Sequence, residues 1–123
     1  MARKFIESAG YAVTGLRFAF RSQRNLWIHL TMALFAVFLS FVLGVSAIEA
    51  CIIALVISSV FILELMNTAM EEVVNMLHIT RKMRAMVVKD VSAAAVLVAS
   101  IAAVIIGGII FIPKLLALLT VAI

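Results

Sequence analysis

Three long apolar runs separated by short polar clusters organise this chain. No Asp, Glu, Lys or Arg occurs in 25–48, in 50–63 or in 91–113. At a helical rise of about 1.5 Å per residue, about 20 residues cross a ~30 Å hydrocarbon core. The first and third runs therefore predict transmembrane helices over about 25–48 and 90–113. The middle run is too short alone. Carried past Glu64 it becomes a second span over about 50–75, with Glu64 about 21 Å from Ala50 and Glu71 about 31 Å from it. Ahead of the spans, Phe5, Ile6, Ala9, Val13, Leu16 and Phe20 recur at helical spacing with basic residues between them. That pattern predicts an amphipathic helix over 1–24 lying in the membrane surface, weakened by Gly10 and Gly15. Tyr11 and Trp27 suit the interfacial belt. Pro113 is expected to end the third span, because proline cannot continue a helix. The tail 115–123 is apolar but too short to cross. No internal repeat is visible.

Composition agrees with a lipid setting. Hydrophobic residues make up 67% of the 123 residues, against roughly 45–50% in soluble domains. The length fits a single membrane domain. The charges fix an expected orientation. Three spans place the N-terminus and the 76–90 loop on one side, with Arg3, Lys4, Arg17, Arg21, Arg24, Arg81, Lys82, Arg84 and Lys89. The other side has only Lys114. An asymmetry of nine to one predicts a cytoplasmic N-terminus and an outward-facing Glu49 and C-terminus. No signal peptide is evident, since the first apolar run starts after 24 residues and lacks a small-residue cleavage pattern.

One polar stripe interrupts this picture. On a helix advancing about 100° per residue, Glu64, Asn67, Glu71 and Asn75 fall within an arc of about 80°. A carboxylate at membrane depth costs roughly 2.5–3.5 kcal/mol on insertion scales, so its usual reason is function. Other features have bland readings. Cys51 is a lone, apolar filler and supports no disulfide within the chain. His29 suits phosphate or metal, but a packed or interfacial histidine is the better expectation. The run Arg81-Lys82-Met83-Arg84 serves equally as a phosphate patch or an anchor to anionic lipid. Ala95, Ala99, Ala103 and Gly107, at steps of four, allow close helix packing within or between chains.

Soluble kinase hardware is missing: there is no G-x-x-x-x-G-K-[ST] loop and no H-R-D or D-F-G set. No Cys/His set has zinc spacing. What remains is carboxylates, amides, lysine and arginine at a membrane interface. Carboxylates together with substrate phosphates are the usual way to hold magnesium. A second carboxylate can take a proton from an alcohol, and phosphoryl transfer needs mainly positioning and charge neutralisation. This chemistry permits a lipid-alcohol kinase. It equally permits a polar stripe lining an ion path.

The segment Glu64-Leu-Met-Asn67-Thr68-Ala69-Met-Glu71-Glu-Val73-Val74, followed by Lys89-Asp90-Val-Ser-Ala-Ala-Ala-Val96, resembles the prokaryotic diacylglycerol kinase family. The likeness runs from about Phe5 to Leu115 and includes Ala9-Gly10-Tyr11 and Gly15-Leu16-Arg17. Arg24-Asn25 with His29, and Phe111-Ile-Pro113-Lys114-Leu115, look more like its undecaprenol kinase branch. The resemblance implies an all-α integral membrane homotrimer with active sites shared between neighbouring subunits. It implies ATP-dependent phosphorylation of a lipid alcohol, undecaprenol or diacylglycerol, with Mg2+ as cofactor, in the bacterial inner membrane. No nucleic-acid partner is expected. Residue by residue, it implies Glu64 as general base beside the active-site Asn67, and Glu71 as a metal ligand. Lys89, Asp90, Lys4 and Tyr11 match nucleotide-binding positions. Gln23 falls where the family usually has a second metal-binding glutamate, and Asn75 where it usually has aspartate. The aromatic-histidine pair common in the family's 76–90 loop is also absent. Two missing acids should weaken metal affinity, since ligand charge helps set it. Alternatives are therefore a catalytically weak or inactive relative, or a non-enzymatic membrane oligomer such as a transporter subunit.

Overall fold

A computed structural model describes residues 2–77 and 82–121. Among the described residues every regular element is an α-helix: α1 Ala2–Ser22, α2 Arg24–Val42, α3 Ala47–Met76 and α4 Lys82–Val121. The last three are each long and apolar enough to cross a membrane.

The expected surface helix is present as α1. An Arg3–Glu7 pair at 3.2 Å supports its first turns, worth only a few tenths of a kcal/mol in such exposed i,i+4 pairs. Nearly all of α1 is exposed; Ala19 is its one buried residue. A single extended residue, Gln23 (φ −117°, ψ 114°), separates α1 from α2. The corner is fastened by aromatic contacts. Phe20 packs edge-on against Trp27 at 5.2 Å and lies 6.5 Å from Phe61, and the Trp27 indole N–H donates to the Phe20 carbonyl at 2.9 Å. Gln23 is thereby held at the inner side of the bend.

The first span is shorter than the 25–48 run. Helix α2 ends at Val42, and Gly44 takes a left-handed φ of +59° that favours glycine. The chain then re-enters helix through a capping box. Ser46 Oγ accepts from the Glu49 N–H, and the Ser46 N–H donates to the Glu49 carboxylate. The local turn chemistry of Gly44-Val45-Ser46 overrides the apolar pattern there.

The third span departs from expectation at Pro113. Helix α4 does not end there but continues through it to Val121. Proline removes one N–H, so the carbonyl of Ile109 loses its rung, while the neighbouring rungs persist. Unwinding the turns beyond it in apolar surroundings would expose several backbone groups in place of one. The next residue also anchors the helix: Lys114 Nζ lies 3.1 Å from the Glu49 carboxylate at the start of α3. The two charges at that end of the bundle thus neutralise each other. At the other end, α4 begins at Lys82, so the described part of the 76–90 segment is helix from that residue on. Arg81 and His78 lie outside the described residues.

Helices α3 and α4 run antiparallel against each other, with α2 on their flank. The apolar core is small. Ile53, Ile110 and Phe111 are buried together, with Ala36, Leu39 and Ile57 against them. Outward-facing Phe38, Leu55, Ile62, Leu97 and Val104 are more than half exposed. Apolar surface of that extent needs lipid or another copy to cover it. Of the small-residue stripe, Ala99, Ala103 and Gly107 are half-buried, and the last two line a groove within the chain.

Candidate functional site

Helix α3 positions the site. Its buried residues are Ile53, Val60, Glu64, Asn67, Thr68 and Val74; the steps 53–60–64–67–74 are of seven, four, three and seven residues, and Thr68 follows Glu64 by four, so one face stays turned inward. That face is apolar toward Ala47 and polar toward Met76. Asn67, Glu71 and Asn75 each receive a partner from another element, while the Thr68 hydroxyl donates to the Glu64 carbonyl within α3. Ser92 Oγ on α4 donates to Asn67 Oδ1 at 2.7 Å. Gln23 Nε2, at the bend between α1 and α2, donates to Glu71 Oε2 at 2.6 Å. Lys89 Nζ on α4 donates to Asn75 Oδ1 at 2.8 Å. Side chains from α4 and from the α1–α2 bend therefore converge on successive turns of α3.

Glu64 is the exception. It is 1% exposed, and both carboxylate oxygens lack a hydrogen-bond partner. Its closest basic group is His29 on α2, whose Nε2 lies 4.0 Å from Oε2. The carboxylate borders a cavity of about 260 Å³ lined by Asn25, His29, Asn67 and Ser100 and by apolar residues of α2 and α4. A larger apolar groove of about 520 Å³ adjoins it, sharing Ile28, His29 and Ser100, and runs between α2, α3 and α4 toward Phe111. Buried polar groups are almost always hydrogen-bonded, so an orphaned carboxylate calls for a functional explanation. Here it faces a cavity with several polar groups in its wall, next to an apolar slot.

The structure brings together six of the sequence-derived positions, Gln23, Glu64, Asn67, Glu71, Asn75 and Lys89. It does not bring Lys4, Tyr11 or Asp90 into contact with them. Tyr11 is 77% exposed on α1, twelve residues and thus about 18 Å along the helix from Gln23. Lys4 and Asp90 are also exposed. Glu72 is half-buried at the edge of the stripe.

A divalent ion has a modest donor set here. Among the described residues, no group of three or more His, Cys, Asp and Glu side chains converges. Glu71 with Gln23 offers one carboxylate and one amide oxygen, the latter after rotation of the amide that now donates. Magnesium is commonly held by one or two carboxylates plus substrate phosphates, so these two residues fit it only with nucleotide completing the shell.

The sequence pattern gave no role to Ser92 or Asn25 and made His29 a packed or interfacial residue, although all three stand in the segments that carry the resemblance. The signal was spacing: Ser92 follows Lys89 by three on α4, and His29 follows Asn25 by four on α2, so each pair shares a helix face. His29 is the packed histidine expected, but packed against the one orphaned acid.

The sequence pattern described as prokaryotic diacylglycerol kinase matches residues 10–111. A protein named diacylglycerol kinase from Synechocystis sp. is 39% identical over 120 residues, covering 97% of this chain and 69% of that one. A protein named undecaprenol kinase from Bacillus subtilis is 37% identical over 112 residues, covering 91% of each. The two identities are too close to favour either lipid.

Proposed function

The chain belongs to the prokaryotic diacylglycerol kinase family, and we propose that it moves the γ-phosphoryl group of ATP to a membrane lipid alcohol at the cytoplasmic interface. It is a lipid kinase with three helices able to span a bacterial membrane. The alcohol is undecaprenol or diacylglycerol; both present a primary hydroxyl on an apolar body. The observation that carries this reading is Glu64, buried and unpartnered in the wall of a cavity that adjoins the apolar groove. A lipid tail in the groove would bring its hydroxyl to this carboxylate.

Each residue then has a task. Glu64 takes the hydroxyl proton as the alcohol oxygen attacks phosphorus. Asn67, braced by Ser92, orients the hydroxyl. Lys89 neutralises the nucleotide phosphates. Glu71 and Gln23 would hold magnesium, which when bound neutralises phosphate charge. Asp90, Lys4 and Tyr11 contact the nucleotide from outside the stripe. Since Tyr11 stands about 18 Å from Gln23 along its own helix, it serves a site on a neighbouring chain. That geometry fits an oligomer with shared sites, which the family resemblance makes a homotrimer, and the nine-to-one basic asymmetry puts its N-terminus in the cytoplasm.

Gln23 and Asn75 favour one second reading, a kinase weakened by poor metal binding, because both are neutral where acids would hold or attract the ion. Purified protein in bicelles, given ATP, magnesium and each lipid alcohol in turn, separates the two. Full turnover at ordinary magnesium supports the full kinase, turnover that appears only at high magnesium supports the weakened one, and no phosphorylated lipid at any magnesium concentration rejects both.

A further inference from the structure

The transfer as described leaves His29 without a role, yet it is the closest basic side chain to the proposed base. Its Nε2 lies 4.0 Å from Glu64 Oε2, with side-chain exposures of 19% and 1%. Both oxygens of Glu64 are buried and unpartnered. Among the described residues no lysine or arginine lies within 4.0 Å of this carboxylate. The other groups around it supply no opposite charge. Helix α2 adds the neutral Asn25, α4 adds Ser100 and apolar side chains, and the next acid on α3, Glu71, lies about two turns away. A buried carboxylate in apolar surroundings needs an opposite charge or hydrogen bonds to stay charged. His29 also stands on the boundary between the polar cavity and the apolar groove, lining both.

We propose that His29, as the imidazolium, is the charge partner of Glu64 and the positioning residue that keeps this carboxylate aimed into the cavity. The inference rests on the reading of Glu64 as the base. Before transfer the pair is neutral overall. The lipid hydroxyl proton passes to Glu64 while the alcohol oxygen bonds to the γ-phosphorus. The bond from that phosphorus to the ADP oxygen breaks, and its electron pair leaves with ADP. The pair then carries one extra proton and regains neutrality by releasing it to water through the polar cavity. The imidazolium touches neither the lipid nor the nucleotide; it acts through Glu64.

Steady-state kinase rates of the full-length protein in bicelles test this with His29→Gln, Glu64→Gln and the double variant. His29→Gln is expected to lower kcat about tenfold or more, within the ~10²–10⁴ that a general base contributes, with KM for ATP unchanged. The double variant is expected to match Glu64→Gln alone, because residues acting as a unit are non-additive. A purely packing role for His29 would instead multiply the two losses, which overturns the proposal. Full rate in His29→Gln with a crippled Glu64→Gln overturns it too, while leaving Glu64 as the base. Full rate in Glu64→Gln removes the base reading itself. A second measurement needs no substitution. The chain has two histidines, so 15N-histidine NMR of the wild-type protein resolves them. Two protonated ring nitrogens on His29 at neutral pH support the pairing, and a neutral ring refutes it.

Discussion

Replacing Gln23 with glutamate should convert a hydrogen bond into a metal-dependent clamp. Gln23 Nε2 lies 2.6 Å from Glu71 Oε2, so Gln23→Glu exchanges a donor for a second carboxylate at nearly the same place. Two like charges about 4 Å apart repel by about 4 kcal/mol at an effective dielectric of about 20. Both groups are half-buried near the end of the bundle, and solvent screening should bring the net cost to about 2 kcal/mol. Without a divalent ion, the variant should therefore melt at a lower temperature than the wild type. With magnesium the repulsion becomes ligation. Recovering about 2 kcal/mol corresponds to a gain of roughly 30-fold in apparent magnesium affinity, at about 1.4 kcal/mol per factor of ten. The assays are thermal melting of purified protein with EDTA and with graded magnesium, and a magnesium titration of kinase rate. Turnover at saturating magnesium should be little changed, because only occupancy is corrected. Superimposable titrations and melts with the same magnesium dependence in both forms would refute the metal-facing assignment of Gln23.

Other expectations follow from individual contacts. Lys89→Met should raise KM for ATP about tenfold or more while leaving lipid KM alone, read from initial rates, because it removes the charge placed on the phosphates. Ser92→Ala takes away the donor to the buried Asn67 and should cost about 1–3 kcal/mol by denaturation, with Ser92→Thr restoring most of it. Pro113→Ala supplies the N–H that the Ile109 carbonyl lacks and should raise the melting temperature, by up to about 3 kcal/mol of stability. Lys114→Ala, at the opposite end of the bundle from the stripe, should leave the kinase rate unchanged. In a cysteine-free background, a single reporter at position 47 should label only from the outer face, and those at 2 and 118 from opposite sides.

The helices and the polar stripe were legible because one physical signal dominated each. Charge-free runs long enough for a bilayer mark the spans, and Glu64 stands out because a carboxylate there is costly. What the pattern missed was local or long-range. The end of α2 at Val42 depends on the Gly44 turn and the Ser46–Glu49 box, which apolar counting ignores. Pro113 reads as a stop by its own propensity, but the cost of freeing further backbone groups in lipid, together with the Lys114–Glu49 contact, keeps α4 intact. The joining of Gln23 to Glu71 and of Ser92 to Asn67 arises from tertiary packing across 48 and 25 residues. The resemblance suggested the first of these, and nothing in the sequence alone suggested the second. His29 was visible as a residue but not as the neighbour of Glu64, because only packing of α2 on α3 makes it one.

Glu64 acts as the base of a lipid kinase, and transfer of radiolabelled γ-phosphate to lipid by wild type and Glu64→Gln tests this most directly. The wild type is expected to give phosphorylated lipid and the variant a turnover about 10²–10⁴-fold lower, with KM for ATP nearly the same in both. Equal turnover in the two proteins, with both folded, would contradict it.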